Sequence, residues 1–327
     1  MKLYKKIILV LSVTICAVAF CSCAQQYPTA SDFSAKEIEN SYNNTLSGAR
    51  MGYHNNTLYC PKYTNGGSFK GVYAVNNDGV EEIVECDDNI LDWTCNPYFF
   101  EYNDNLYMEN TFRDNDKYSR IDKNNKLIPI DNDSYHYGEV MYLTDELKIY
   151  YYDALDIRVI VNDKDEFNLT AYTGTAAGVY PYGDELYVMN GLGWLYKTNI
   201  YEDNGVCEYI STLNDKGCRV MEISGDYLYY SSYHGMYRYD LKSEELKTID
   251  ISEITSMNTY NGTVFYANKD GVFSCNKKGE IKKLTDISNS SIYIFDTEWV
   301  YLYNESGIIY RVSQNGDAVE TIVLDEQ

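Results

Sequence analysis

An apolar residue followed by an aromatic one recurs along the chain, each time close behind a tight turn built from Asn, Asp, Gly or another small or polar residue. The turn and the pair read NNTLY, NDNLY, GDELY, GDYLYY and NGTVFY in five of the copies. A spacing of about 40 residues between copies is typical of repeat folds, in which each unit buries its apolar face against the next. The seven apolar anchor residues are Leu58, Leu106, Ile149, Leu186, Leu228, Val264 and Val300.

Each unit contains four short runs that are rich in β-branched and aromatic residues and are separated by Gly, Asn and Asp. In the fifth unit the runs are RVMEI (219–223), YLYYS (227–231), MYRYD (236–240) and ELKTI (245–249). Such runs are typical of strands joined by turns, and helical periodicity is almost absent. We therefore predict an all-β fold, a β-propeller with seven four-stranded blades, with six or eight blades as the alternatives. A β-solenoid is disfavoured because its turns are shorter and more regular.

The strand LYYSS followed by MYRYDL resembles the propeller repeats of the low-density-lipoprotein-receptor type, whose blades carry a Tyr-Trp-Thr-Asp strand. The Trp and Thr of that strand are missing here, and that family usually has six units. The pattern is more similar to bacterial lipoprotein propellers of unknown function, which share the Leu-Tyr-Tyr and Leu-Tyr-Arg runs. The resemblance implies the fold and no ligand.

The first residues, MKLYKKIILVLSVTICAVAFCSC, combine a basic start with an apolar run that ends at a cysteine. This pattern predicts a secretory signal, and its end resembles the bacterial lipoprotein signal, in which that cysteine receives an acyl chain such as palmitate. We predict a signal peptide at 1–22, a tether at 23–44 anchored through Cys23, and the propeller at 45–327. The predicted location is the extracytoplasmic face of a bacterial membrane. The alternatives are a plain cleaved signal and an uncleaved helical anchor.

The chain carries 27 basic and 49 acidic residues, a net charge of −22. Such a charge repels phosphate backbones and anionic lipid surfaces, and no later segment is apolar enough to span a membrane. We predict a protein or glycan partner at the cell envelope, no nucleic acid, and membrane contact through the lipid anchor only.

The strand order of a blade separates its connections onto two faces. Connections after the second and fourth strands share one face, here called the loop face, and those after the first and third strands share the other, the turn face. The turns after the first strands are uniformly tight, whereas PKYTNGGSFKG, CDDNILDWTCNP, ENTFRDNDK and DNDSYHYG are long connections on the loop face. Variable loops on a rigid scaffold usually carry binding sites. The candidate ligand-binding residues on this rim are Asp87, Asp88, Trp93, Arg113, Asp114, Asp116, Tyr135 and His136.

Cysteines and runs of oxygen-bearing residues indicate a possible disulfide and a possible metal site, less clearly than the long loops indicate a binding rim. Cys86 and Cys95 bracket one long loop and could form a disulfide, with two thiols as the alternative, whereas Cys275 reads as a small core residue. The runs 113–117 and 130–139 have alternating oxygen ligands but lack the glycine and the distal glutamate of a calcium loop. We predict no cofactor and name Ca²⁺ as the ion that these runs could hold.

A basic residue recurs in the third strand of five units. These residues could form a ring that binds an anion, but we favour ion pairs with acids of neighbouring blades, because the position is equivalent in every blade. The five residues are Arg120, Arg158, Lys197, Arg238 and Arg311.

No nucleophile, zinc or nucleotide-binding motif is present in the sequence. The favoured hypothesis is a non-enzymatic binding module. One alternative is a propeller enzyme of glycan lyase, glycosidase or lactonase type, with acidic residues at the mouth of the channel. Another is an accessory subunit of a transporter or a signalling protein.

Overall fold

The computed structural model describes residues 27–38, 43–44, 50–63, 69–85, 97–109, 118–130, 139–153, 156–170, 172, 174, 176–213, 218, 220–304 and 308–324. These residues form seven four-stranded antiparallel sheets, each made of four consecutive strands. The first strands of neighbouring blades contact each other, as β13 (Ala176–Tyr182) does with β17 (Val220–Ser224), so they surround a common axis. The predicted seven-bladed β-propeller is confirmed.

The strands have the following bounds, in chain order. Blades 1 to 3 contain β1 (Gly52–His54), β2 (Thr57–Tyr63), β3 (Phe69–Asn76), β4 (Gly79–Glu85), β5 (Tyr98–Tyr102), β6 (Asn105–Glu109), β7 (Tyr118–Ile121), β8 (Leu127–Pro129), β9 (Glu139–Leu143), β10 (Leu147–Asp153), β11 (Asp156–Val161) and β12 (Asp165–Asn168). Blades 4 and 5 contain β13, β14 (Glu185–Asn190), β15 (Trp194–Asn199), β16 (Glu208–Thr212), β17, β18 (Tyr227–Ser232), β19 (Gly235–Asp240) and β20 (Leu246–Asp250). Blades 6 and 7 contain β21 (Ile254–Tyr260), β22 (Thr263–Asn268), β23 (Gly271–Cys275), β24 (Ile281–Thr285), β25 (Ser290–Tyr293), β26 (Trp299–Asn304), β27 (Ile309–Ser313) and β28 (Val319–Ile322).

The local sequence accounts for the blade pattern. In blade 5 each predicted strand agrees with the observed one to within one residue at either end. In blade 1 the turn between β1 and β2 places Asn55 and Asn56 at positive φ, the conformation of a two-residue type I′ hairpin that Asn tolerates. Such turns match the twist of the flanking strands, which explains why the turn face is compact.

Burial explains why the ring is closed. Each of the seven anchor residues is at most 1% exposed. Among the described residues, the buried apolar side chains form seven clusters, and each cluster joins two neighbouring blades, including blades 7 and 1. The cluster between blades 7 and 1 contains Tyr53, Tyr301 and Phe295 with their rings in contact. The repeat therefore buries its apolar surface by closing on itself, as the sequence predicts.

Residues 27–38 and 43–44, here called the N-terminal strap, contact the propeller, although the sequence places them in a tether. Thr29 forms a parallel bridge with Thr321 of β28 and so extends the outer edge of blade 7. Phe33 is buried in the cluster between blades 7 and 1, and Tyr53 Oη donates to its carbonyl at 2.7 Å. Glu37 then bridges to Asp296 on the turn face. The strap thus crosses the joint at which the ring closes.

Arg311 of β27 holds the strap against blade 7. The guanidinium is buried, lies 4.8 Å from the ring of Phe33 and 4.3 Å from that of Trp299, and donates to Glu320 at 2.7 Å. It also donates to the carbonyl of Asp32. A buried cation needs both charge pairing and further hydrogen-bond acceptors, and the strap supplies one of those acceptors.

Within the ranges given above, no helix combines the length and the hydropathy that a membrane crossing requires.

Candidate functional site

The rim residues predicted from the sequence fall in three connections. Asp87, Asp88 and Trp93 lie between β4 and β5, and Tyr135 and His136 between β8 and β9. The connection between β6 and β7 contains Arg113, Asp114 and Asp116. All eight lie outside the described residues, as do Cys23, Cys86 and Cys95. The candidate rim therefore stays a prediction.

Cys275 is buried in the cluster between blades 5 and 6, which confirms its predicted role as a core residue. Burial raises the pKa of its thiol. Cys60 and Cys207 are buried thiols as well. Buried thiols with raised pKa values react slowly, because the thiolate is the reactive form, so these three cysteines serve packing.

Polar side chains of the first strands converge at the axis of the ring. Tyr180, Glu222 and Asn258 occupy the same register position in blades 4, 5 and 6, opposite the aromatic residue that follows the anchor. Tyr293 has that position in blade 7, opposite Tyr301. Equivalent positions in neighbouring blades come together at the axis because the ring repeats them by rotation. We call these four residues the axial ring.

Two asparagines of the strap fill the space between these side chains. Asn43 Nδ2 donates to the carbonyl and the hydroxyl of Thr259, both at 3.0 Å, and its Oδ1 accepts from Tyr180 Oη at 3.0 Å. Asn44 pairs with the backbone of Ile294, donating to its carbonyl at 2.9 Å and accepting from its N–H at 2.8 Å. Asn258 Nδ2 also donates to Asn44 Oδ1 at 2.9 Å. The chain's own amides thus bind the inner strands of blades 4, 6 and 7.

Glu222 is the acidic member of the axial ring. Its side chain has 0% exposure, and no donor among the described residues reaches either carboxyl oxygen in hydrogen-bond geometry. Thr259 and Tyr180 lie beside it, and both bond Asn43. Burial raises the pKa of the Glu222 carboxyl well above its ordinary value, because removal from water disfavours the charged form. Glu222 is therefore a buried carboxyl whose neutral form the fold favours.

The third-strand cations pair differently from the prediction. Lys197 contacts Glu185 at 2.7 Å, Arg158 contacts Glu166 and Arg311 contacts Glu320. Each of these acids lies on the same blade as its cation, not on a neighbouring blade, so the predicted pairing is wrong for these three. The reason is cross-strand register, since residues opposite or diagonal on adjacent strands lie within reach of each other. Arg311, for example, is directly opposite Glu320.

Arg238 is the exception, because it does reach the neighbouring blade. Its Nη1 donates to the backbone carbonyl of Lys277 in blade 6 at 2.7 Å, and its guanidinium lies 4.4 Å from the ring of Tyr227. The acceptor is a carbonyl and not an acid. The cations described here are engaged with groups of the protein, which argues against a ring that binds an anion.

Exposed apolar side chains concentrate on blade 4. The part of the chain that the structure describes has ten large apolar residues with more than a third of their surface exposed, and four of them belong to this blade. These four are Leu192 (48%), Tyr201 (56%), Val206 (54%) and Tyr209 (52%). Leu192 lies in the turn before β15, Tyr201 and Val206 lie in the connection between β15 and β16, and Tyr209 lies on β16. We call these four residues the blade 4 stripe.

Aromatic neighbours support the stripe from beneath. The ring of Tyr209 contacts Trp194 edge-on at 6.4 Å and Tyr196 at 5.8 Å, and its hydroxyl bonds Thr212 at 2.7 Å. These contacts hold Tyr209 in place while half of its surface faces solvent. The stripe could not be predicted from the sequence, because Leu192 is exposed whereas Leu195 and Tyr196 of the same run, LGWLY, are buried.

The outer strand β16 carries fewer charges than most of its counterparts, and the residues just before it pair with Thr170, which follows β12. Natural sheets guard edge strands with charged residues, proline or a covering segment. The outer strands β4, β12, β20 and β24 each carry at least two charged residues, β8 contains a proline, and β28 is covered by the strap. The sequence of β16, EYIST, has Glu208 as its single charge. Blade 4 therefore combines four exposed apolar side chains with an outer strand that carries one charged residue.

The fold and the site define a class, a seven-bladed β-propeller with two asparagines bonded at its axis and four exposed apolar side chains on one blade. The chain is similar in structure to PorZ, an essential bacterial surface component of the type-IX secretion system of Porphyromonas gingivalis, at 10% identity and a TM-score of 0.57, over 89% of this chain and 39% of PorZ. It is similar to the extracellular domain of the hybrid two-component system BT4673 from B. thetaiotaomicron, at 14% identity and a TM-score of 0.55, over 80% of this chain and 40% of that one. A third similar structure is the WD40 β-propeller domain of Doa1, at 10% identity and a TM-score of 0.50, over 79% and 89% of the two chains.

The two bacterial structures are much longer than this chain, which spans about 40% of their length. Identities of this size show the fold alone. The sequence matches no protein-family model and no curated protein.

Proposed function

We propose that this protein is a non-enzymatic, lipid-anchored β-propeller on the extracytoplasmic face of a bacterial cell, and that it binds another protein through the outer surface of its ring. The observation that carries this proposal is the blade 4 stripe. An apolar patch on a soluble surface typically marks an interaction site, and Tyr is enriched in protein interfaces. The rim residues of the loop face, from Asp87 to His136, are further candidate contacts.

The composition of the stripe favours a protein partner. Leu192 and Val206 are aliphatic, and aliphatic side chains match apolar patches of a protein better than the faces of a sugar. The net charge of −22 disfavours a second copy of this chain and favours a partner surface that is neutral or basic. The two bacterial neighbours are described as a surface component and an extracellular domain, which agrees with the proposed location.

A glycan is the second candidate partner. Trp194 and Tyr209 meet edge to face, and the hydroxyl of Thr212 lies beside them. Aromatic rings next to a hydroxyl can stack on a sugar and bond its hydroxyl groups at the same time. This arrangement covers less of the stripe than a protein would, since it leaves Tyr201 and Val206 unused.

The enzyme alternative would use Glu222, whose raised pKa suits a general acid. Asn43 bonds Thr259 and Tyr180, which lie beside this residue, and Asn44 bonds Asn258 of the axial ring. A role as an accessory subunit of a transporter or a signalling protein is compatible with the proposed binding function, because it specifies the partner and leaves the surface unchanged.

The test is a pair of matched double variants. Leu192→Ser with Tyr209→Ser removes the stripe, whereas Leu246→Ser with Ile281→Ser removes two exposed apolar residues from the outer strands of blades 5 and 6. Tyr209→Ser also removes the ring contacts to Trp194 and Tyr196 and the hydroxyl bond to Thr212, so thermal unfolding of both variants is measured first, and binding is compared at a temperature at which both are folded. A photo-crosslinker at position 201, within the stripe, should join one defined envelope protein in the wild type and the control.

The stripe variant should lose this adduct, and the purified partner should then bind it at least tenfold more weakly than it binds the control variant. Equal binding of the two variants would contradict the protein-binding proposal. If the wild type and the control variant bind a glycan array and the stripe variant does not, the proposed partner is a glycan and not a protein.

A further inference from the structure

The path of the strap determines where the anchor leaves the propeller. The ring of Tyr27 contacts that of Tyr310 in β27 at 5.9 Å. The N–H of Thr321 in β28 donates to the carbonyl of Pro28 at 2.8 Å, and the N–H of Ala30 donates to the carbonyl of Thr321 at 2.9 Å. The chain is therefore fixed to the outer edge of blade 7 at residues 27–30.

Few residues separate this point from the proposed lipid. A fully extended chain spans at most about 3.5 Å per residue, so the four residues from Cys23 to Tyr27 reach no further than about 14 Å. A compact body of this size has a radius of gyration of roughly 19 Å, or a width of about 50 Å. The tether is thus much shorter than the width of the propeller. The edge of the ring opposite blade 7 therefore cannot contact the membrane while Cys23 is anchored in it.

We propose that the anchor holds the propeller edge-on, with the outer edge of blade 7 facing the bilayer and the opposite edge, formed by blades 3 and 4, directed away from it. This inference rests on the lipid anchor at Cys23 that is part of the proposed function. In a ring of seven blades the point opposite blade 7 lies between blades 3 and 4. The blade 4 stripe is therefore displayed on the side of the molecule that is far from the membrane.

The contacts of the strap are strong enough to maintain this orientation. Phe33 is 2% exposed, so detachment of the strap would return an almost fully buried aromatic side chain to water. Arg311 binds the carbonyl of Asp32, and Glu37 Oε2 accepts from the N–H of Asn55 at 3.0 Å in blade 1. Detachment of the strap would expose all of these groups at once, so the strap stays in place while the anchor is under load.

The inference is tested by the depth of two matched labels. Asn315 and Lys164 are both exposed and lie in the turns between the third and fourth strands, of blades 7 and 3 respectively. Each is replaced by Cys in the full-length lipidated protein, labelled with a fluorophore and reconstituted in phosphatidylethanolamine–phosphatidylglycerol vesicles that carry nitroxide headgroups. The unsubstituted protein is the labelling blank.

We expect quenching at position 315 to exceed quenching at position 164 several-fold. Insertion of a flexible Gly-Ser linker of about 20 residues after Gln26, which spans roughly 25 Å, should reduce the difference to nearly nothing. Equal quenching at the two positions in the original protein would overturn the inference, as would a difference that survives the linker.

Mass spectrometry of the N-terminal peptide from the same sample separates the two proposals. Absence of a lipid on Cys23 would overturn the anchored function. A lipid on Cys23 together with equal quenching would overturn the orientation alone.

Discussion

The substitution Glu222→Gln should stabilise the protein at neutral pH. Glu222 has 0% exposure and no hydrogen-bond donor at either oxygen among the described residues, and burial raises its pKa well above the ordinary value. The folded state therefore binds a proton that the unfolded chain releases. When the pKa of a group is higher in the folded than in the unfolded state, its contribution to the free energy of unfolding is fully present below the unfolded pKa. That contribution is lost as the pH rises toward the folded pKa.

The size of this effect follows from proton linkage. Above the unfolded pKa of about 4.3, each pH unit lowers the free energy of unfolding by about 1.4 kcal/mol until the folded pKa is reached. One kcal/mol corresponds to about 2–4 °C in the midpoint of a domain near this size. The contribution of Glu222 is therefore roughly 3–6 °C per pH unit, and glutamine, which does not ionise, should remove it.

The assay is thermal unfolding at a series of pH values between about 4 and 8, followed by circular dichroism. Glu222→Gln should match the wild type near the acidic end and should become more stable than the wild type as the pH rises. Glu202→Gln is the matched control, because Glu202 lies exposed in the connection between β15 and β16. Parallel pH curves for the wild type and Glu222→Gln would refute the reasoning, as would a variant that is less stable throughout.

Two further substitutions test the strap. Phe33→Ala should lower the free energy of unfolding by about 3–5 kcal/mol, the usual cost of removing a buried Phe. Ser34→Ala, at an exposed neighbouring position, should change it little. Denaturant titration measures both variants, and a loss below about 1 kcal/mol for Phe33→Ala would contradict the role of Phe33 in holding the strap. Asn44→Asp should cost about 2–3 kcal/mol at neutral pH, because the carboxylate loses the donor to Ile294 and faces that carbonyl unpaired, and acid should restore part of the loss by protonating the new side chain. Asn315→Asp in an exposed turn is its control, and equal midpoints of the two Asp variants at neutral pH would count against the axial contacts.

The repeat made the ring predictable. Leu58, Val264 and most of the other anchors follow closely behind Asn, Asp or Gly, residues that are typical of tight turns. The strand boundaries can therefore be predicted from short segments of sequence. Blade closure follows as well, because a four-stranded unit has two faces to bury. Each of these features depends on a short local pattern of turn and strand residues. The pattern can be recognised in the sequence because it occurs seven times.

The contents of the axis were not predictable in this way. Asn43 and Asn44 occur once, and their partners Thr259 and Ile294 are 216 and 250 residues away in sequence. Glu222 stands in RVMEI at a position that is Gly, Phe, Val, Tyr or Asn in the other blades, so the repeat does not predict a carboxyl there. The blade 4 stripe escaped the analysis for a related reason, since exposure is a property of the packed blade and not of the letters LGWLY.

The strap, residues 27–38 and 43–44, packs against the propeller and bonds side chains at its axis, and we propose that binding is left to the outer surface. The most direct measurement compares the unfolding of two chains, residues 27–327 and residues 45–327, by denaturant titration. The account predicts that the shorter chain loses more than about 3 kcal/mol, the least that the burial of Phe33 alone implies, or fails to fold. Equal unfolding midpoints with equal cooperativity would show that the strap is only a tether and would contradict the account.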